Sequence, residues 1–224
     1  MGLFKRIWRI LSMRSKSHTT KDEDSTLTDS ATDYNAISSL STAIVKLDNN
    51  LGIKSTGKCA ICVKDVDIQS FEEMKQYVKD FLGVASNKET IGFDINFSSL
   101  IDNYGYFWFI LKGQKIEDIV AALNGIGQTV HEKGFSKQLL AAAFEFTDGY
   151  AKNGNSNLQY LIYNYKLDKF YSFVPITTTS NNEVEYKKRR DNEKELKIMK
   201  EVGDQIPFEK DMSLWYPIWN IPIN

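Results

Sequence analysis

The sequence predicts an α+β domain built on a mainly antiparallel sheet, with helices packed on it and an amphipathic helix leading it at the amino terminus. Three observations point there. Apolar residues fill 42% of 224 positions, enough for one well-filled core. Segments with helical spacing alternate with short runs rich in aromatic and β-branched residues, and several connections between those runs are too short for a parallel crossover. The first 35 residues break that pattern, passing from a basic apolar stretch to a polar acidic one. The chain therefore divides into a helix over 1–17, a flexible acidic linker over 18–35 and a single domain over 36–224.

Residues 3–16 form two clean faces on a helix. Leu3, Phe4, Ile7, Trp8, Ile10 and Leu11 fall on one side, and Lys5, Arg6, Arg9 and Lys16 on the other. Such a helix lies in a lipid interface, with its apolar face among acyl chains and its cations among anionic headgroups. The membrane contacts expected are Leu3, Phe4, Lys5, Arg6, Ile7, Trp8, Arg9 and Leu11. Docking on a partner protein or on the chain's own domain are the alternatives. The Met-Gly start is no myristoylation signal, because position 6 holds Arg where Ser or Thr is needed.

Within the domain, Ile37, Leu40, Ile44 and Leu47 predict a helix over 36–50 that Asn50 and Gly52 close. Cys59 to Val66 reads as a strand. Ser70 and Glu73 form a capping box for the next helix, whose buried face is Met74, Tyr77, Val78, Phe81 and Leu82 and which Gly83 ends. Residues 90–98 alternate as a half-buried strand, Asp102-Asn103 turns the chain, and Tyr104 to Leu111 is a central strand. A helix over 115–133 stops at Gly134. Residues 138–147 and 158–174 supply two or three more strands, with Leu167-Asp168-Lys169 as the last hairpin tip, and a final helix spans 189–203 after a polar loop. The helices should cover one face of the sheet.

Composition and motifs argue against catalysis. Lys and Arg number 28 against 29 Asp and Glu, so no broad basic field awaits a nucleic acid. Two cysteines cannot build a disulfide framework and suit a reducing compartment. No run of about 18 apolar residues exists to cross a bilayer as a helix. Cys59-Ala60-Ile61-Cys62 has zinc spacing, but on a strand residues three apart point to opposite faces. Asp65 and Asp67 read as solvated rather than cation-binding, and Gly125-Ile126-Gly127 as a packing or kink feature inside a helix. His131 has no nucleophile partner by motif, which leaves it a surface or capping role. No cofactor, metal or small-molecule substrate is expected.

Three segments invite a binding role. Tyr104, Tyr106 and Trp108 share one strand face, with Phe107 and Phe109 on the other, so one aromatic row is core and the second is either covered or presented to a partner. The basic run Lys187-Lys188-Arg189-Arg190, continuing into Asp191-Asn192, opposes a helix dipole unless it is solvated or grips an anion. The tail Leu214-Trp215-Tyr216-Pro217-Ile218-Trp219-Asn220-Ile221-Pro222 should lie extended in a groove of its own domain, or else of a partner, its tryptophans demanding burial.

These pieces match a known pattern. The Met-Gly-Leu-Phe start, Tyr104-Gly105-Tyr106-x-Trp108, the helix end His131 to Leu140, the Tyr163-x-Tyr165 to Pro175 hairpin, Arg190-Asp191-Asn192-x-x-x-Leu196, and Leu214-Trp215-x-Pro217-Ile218-Trp219-x-x-Pro222 resemble the PspAB family of PspA-associated proteins. The chain departs from that pattern in its long acidic linker, its extended amino-terminal helix and the polar insertion Thr177 to Glu185. The order of elements is also similar to the secretion-chaperone or YbjN-like scaffold. The resemblance implies a non-enzymatic component of a phage-shock-type envelope stress system, working with the coiled-coil protein PspA at the cytoplasmic face of the membrane. Combined with the residues above, it leads to a peripheral adaptor whose partner surface is Tyr104, Tyr106, Trp108, Arg189, Arg190, Asp191, Asn192, Trp215 and Trp219. The rivals are a chaperone-like module with a self-docking helix, and a hydrolase using His131.

Overall fold

In chain order the elements are α1 (Leu40–Leu51), β1 (Lys54–Lys64), α2 (Gln69–Ala85), β2 (Ile95–Ile101), β3 (Tyr106–Gly113), α3 (Ile116–Glu132), β4 (Leu139–Tyr150), β5 (Ser156–Asn164), β6 (Lys169–Phe173), β7 (Thr178–Ser180), β8 (Glu183–Glu185) and α4 (Asn192–Val202). They come from a computed structural model that describes residues 37–87, 92–150, 156–176, 178–180, 183–185 and 189–223. The amphipathic segment with Leu3 to Leu11, the linker, Lys187 and Lys188 lie outside the described residues.

The sheet is six-stranded and antiparallel throughout, in the order β2-β3-β1-β4-β5-β6. β1 sits inside it, which is why Cys59 to Val63 are buried in an unbroken run. A bulge bends β1 between Ser55 and Cys59. Gly57 makes that bend possible: its φ is +71°, and a Cβ there would meet the Gly113 carbonyl oxygen at 2.1 Å.

Register divides the side chains between two faces. One bears Cys59, Ile61, Phe107, Phe109, Leu111, Ala142, Phe144 and Phe170, and it takes the helices. Lys75 of α2 stands 4.8 Å over the Phe107 ring, and the Ser172 hydroxyl donates to the Glu195 carbonyl of α4 at 2.9 Å. The other face bears Ala60, Trp108, Ile110, Ala143, Tyr160, Tyr171 and Phe173, and the tail crosses it. Tyr171 donates its hydroxyl to the Tyr216 carbonyl at 2.7 Å, Trp219 meets the Phe173 ring edge-on at 5.1 Å, and Lys58 donates to the Ile223 carbonyl at 3.3 Å. In β3, Phe107 and Phe109 on the first face and Trp108 on the second are buried, whereas Tyr106 at the start of the strand is exposed.

Several local expectations need correction. α2 has no capping box: it starts at Gln69, with Ile68 at the cap position and no side-chain cap bond. The Ile68 carbonyl already accepts from the Phe71 and Glu72 N–H groups, so Ser70 lies inside the first turn. Gly83 does not end α2, because a glycine stops a helix by turning left-handed and this one does not; Ala85 continues the buried face. Tyr77 is exposed beneath the Lys133 ammonium, and the inward positions belong to Phe71 and Lys75 as well as those foreseen. β2 runs over 95–101 rather than 90–98, and β1 over 54–64. The polar stretch around residue 180 contains the short pair β7–β8. Gly52 and Gly134 do stop their helices with positive φ, and Asp168 does turn the β5–β6 hairpin.

Gly125 fulfils the packing role assigned to it. A Cβ at that position of α3 would lie 2.1 Å from the Phe81 ring of α2, so the two helices approach through the missing side chain. Gly83 has nothing within 4 Å. The two positions should therefore respond oppositely to alanine in urea unfolding. Gly125→Ala is expected to lose about 1–3 kcal/mol by overpacking, and Gly83→Ala to gain about 0.5–1 kcal/mol from helix propensity.

Candidate partner-binding surfaces

Asp191 opens α4 as its N-cap, accepting the Lys194 N–H at 3.0 Å. That start places Glu195 one turn further on, facing back to the strap that carries Arg190. The guanidinium grips it bidentately, Nε to Oε1 at 2.9 Å and Nη2 to Oε2 at 2.7 Å, and donates from Nη1 to the Trp215 carbonyl at 2.7 Å. Glu195 also accepts the Val174 N–H at 2.8 Å and is fully buried. Burial raises its carboxyl above the usual carboxylate range, while Arg190 and the Val174 N–H pull it back down. The anion that Arg190 grips is thus internal. Arg189 and Asn192 stay exposed beside it.

The tail is fastened nearby. Residues 207–209 run parallel to β6, with Phe170 donating to the Pro207 carbonyl and Glu209 donating to the Phe170 carbonyl, each at 2.8 Å. Trp215 is 2% exposed, its indole N–H on the Glu209 carbonyl at 3.0 Å. The Glu209 carboxylate accepts from the Asp211 N–H and from Lys169, and those two bonds hold it below the usual carboxylate range. Trp219 is half-buried on Phe173. The proline-punctuated tail therefore lies in a groove of its own domain.

At the other edge of the sheet, Asp102 organises the β2–β3 turn. Its Oδ1 accepts from the Tyr104 and Tyr106 N–H groups at 2.8 and 3.0 Å, its Oδ2 accepts from the Trp108 indole at 2.8 Å, and Gly105 takes a φ of +82°. Trp108 is thereby held inside, 3% exposed, while Tyr104 and Tyr106 stand outside at 74% and 39%. Leu100 and Ile101 are exposed beside them. The sequence reading missed these two because it ended the strand at residue 98.

The family model described as PspA associated protein B matches residues 18–223. The chain belongs to the PspAB family. The match takes in the acidic linker and the Thr177–Glu185 insertion but not residues 1–17, so the amphipathic start lies outside it. Comparison with curated proteins and comparison with solved structures each gave no match.

In this PspAB chain the expected partner residues form two groups rather than one surface. Arg190, Asp191, Trp215 and Trp219 meet at the β6 edge, and Tyr104, Tyr106 and Trp108 at the β2–β3 edge, with β1, β4 and β5 between. Four strand spacings separate β3 from β6, about 19 Å. Of the nine side chains, Trp108, Arg190 and Trp215 are committed to internal bonds, whereas Tyr104, Tyr106, Arg189 and Asn192 face outward.

The remaining candidates have plain places. His131 Nδ1 is 2.8 Å from the Ser136 hydroxyl. A cleft of about 290 Å³ between α1 and α4 is lined by Leu51, Ile53, Asp148, Asp191, Lys194 and Lys197, away from that histidine. Asp65 pairs with the buried Lys75 at 3.0 Å. Cys59 and Cys62 are buried free thiols; burial raises both, and with the nearby Asp102 charge pushes Cys62 up to about 12.

Removing one partner of the Arg190–Glu195 pair leaves a buried charge alone. Arg190→Met should cost about 3–5 kcal/mol in urea unfolding, and adding Glu195→Leu should recover much of the loss. Acid should loosen the tail. The Glu209 and Asp211 carboxyls are held low in the folded chain, Asp211 by Ser213, so their stabilisation is complete above the unfolded value and is lost as pH falls below it. Tryptophan emission should shift to the red between about pH 5 and pH 3.

Proposed function

We propose that this PspAB protein is a non-enzymatic peripheral membrane adaptor in an envelope stress response. The amino-terminal helix rests on the anionic inner leaflet, the linker spans outward, and the domain engages a PspA-like coiled-coil protein. The observation that carries the partner is the family's own description, PspA associated protein B. The membrane half rests on the separation of Leu3, Phe4, Ile7, Trp8 and Leu11 from Lys5, Arg6 and Arg9. Among the described residues no helix is long and apolar enough to cross a membrane, which suits attachment at the surface. The exposed tyrosines of the β2–β3 turn supply large, stiff contact groups of the kind that dominate protein interfaces.

Each basic side chain near an anionic surface contributes roughly 1 kcal/mol, so attachment should be reversible and weaken with salt. In co-sedimentation with vesicles of anionic lipid, the full chain should pellet and a chain lacking residues 1–17 should not. Equal pelleting of the two would remove the anchor. Titration calorimetry against purified PspA should show about tenfold weaker binding for Tyr104→Ala and for Tyr106→Ala, with unchanged circular dichroism.

A further inference from the structure

The two edges of the sheet are finished differently. β6 is paired on its outer side with the chain itself, Phe170 beside Phe208 in parallel and Pro175 opposite Arg190. β2 forms the other edge, and among the described residues its ladder partner is β3 alone. Its sequence, Ile-Asn-Phe-Ser-Ser-Leu-Ile, has no charge and no proline, and its register against β3 has no bulge. Charges, prolines and bulges are the devices that keep an edge from pairing. The bond from the Asp102 N–H to the Tyr106 carbonyl sets the phase of the ladder. Asn96, Ser98 and Leu100 bond to β3, so Ile95, Phe97, Ser99 and Ile101 direct their N–H and C=O groups outward. Ile101 is 55% exposed and Leu100 38%.

We propose that β2 pairs with β2 of a second copy of this chain, antiparallel about a two-fold axis at Ser99, so that one sheet runs through both molecules. The strand is its own complement in that register. Phe97 and Ile101 share a face and are equally spaced about Ser99, so each Phe97 meets an Ile101 across the axis, an aromatic against a β-branched side chain. Ser98 meets Leu100, which covers the second exposed residue. Charge fixes the register as well. The strand is flanked by Asp94 and Asp102, and an axis at Ser98 would set these carboxylates opposite each other at both ends. The axis at Ser99 puts Asp102 opposite Asn96, an amide donor, and separates the acids. An isologous interface of this kind closes at two copies.

Sedimentation equilibrium of the full chain at about 100 µM, a concentration at which micromolar pairing is essentially complete, should give twice the chain mass. Two variants should return it to the single-chain mass with unchanged circular dichroism. Ile101→Lys places a charge on the exposed end of the edge, and Ser99→Pro removes an outward N–H that β3 does not use. Mixing Ser98→Cys chains with Leu100→Cys chains under mild oxidation should give mixed disulfide dimers, against a background of buried Cys59 and Cys62. A single-chain mass for the unaltered protein, a double mass that survives both edge variants, or failure of the cysteine pair to link would each overturn the proposal.

Discussion

The Arg190–Glu195 pair is the contact on which the carboxy-terminal third of the molecule depends. Glu195 belongs to α4, Arg190 to the strap before it, the Val174 N–H to the end of β6, and the Trp215 carbonyl to the tail. Each supplies a donor or acceptor that another needs, at a carboxylate with no access to water. A buried carboxylate without Arg190 would face a desolvation cost of several kcal/mol, and the same guanidinium ties the tail to the site through the Trp215 carbonyl. The same stretch of chain covers the β6 edge, where residues 207–209 pair with Phe170, and the second sheet face, where Tyr216 and Trp219 meet Tyr171 and Phe173.

Local chemistry explains what could be read in advance. Helical spacing, the glycines at positions 52 and 134 and the Asp168 turn act within a few residues, and each appears where its pattern placed it. The buried cysteines follow from a strand with two covered faces. Ser70 and Gly83 misled because a cap and a stop are decided by competition for backbone groups, and Ile68 and Ala85 won there. A tail lying along its own domain could be read from its prolines and tryptophans, but not that the second sheet face receives it, since the contacts between Phe173 and Trp219 and between Lys58 and Ile223 join residues far apart in the chain. The basic run reads either as a solvated end or as a grip on an anion, and Arg190 takes the second role. Its anion sits five residues away and inside the protein, which no spacing rule distinguishes from a ligand outside.

The candidate binding surface was legible in kind but not in place. Aromatic residues at Tyr104, Tyr106 and Trp108 drew notice together, yet the pleat and the Asp102 side chain sort them into two exposed and one enclosed. Arg190 and Trp215 near the β6 edge serve the fold, and Leu100, Ile101, Tyr104 and Tyr106 form an exposed apolar group at the opposite edge. Among the described residues the sheet is closed along β6 by its own chain, while the β2 edge has β3 as its ladder partner.

Order of synthesis matters for a molecule fastened this way. Every strand of the six-stranded sheet leaves the ribosome before residues 207–223 do, so a nascent chain that has completed its ladders still presents Tyr171, Phe173 and the β6 edge bare to the cytosol. Among the described residues, Phe208, Tyr216 and Trp219 occupy those positions in the folded chain. The aromatic surface of β6 is thus the last part of the sheet for which the chain supplies a cover, and strap and tail supply it together.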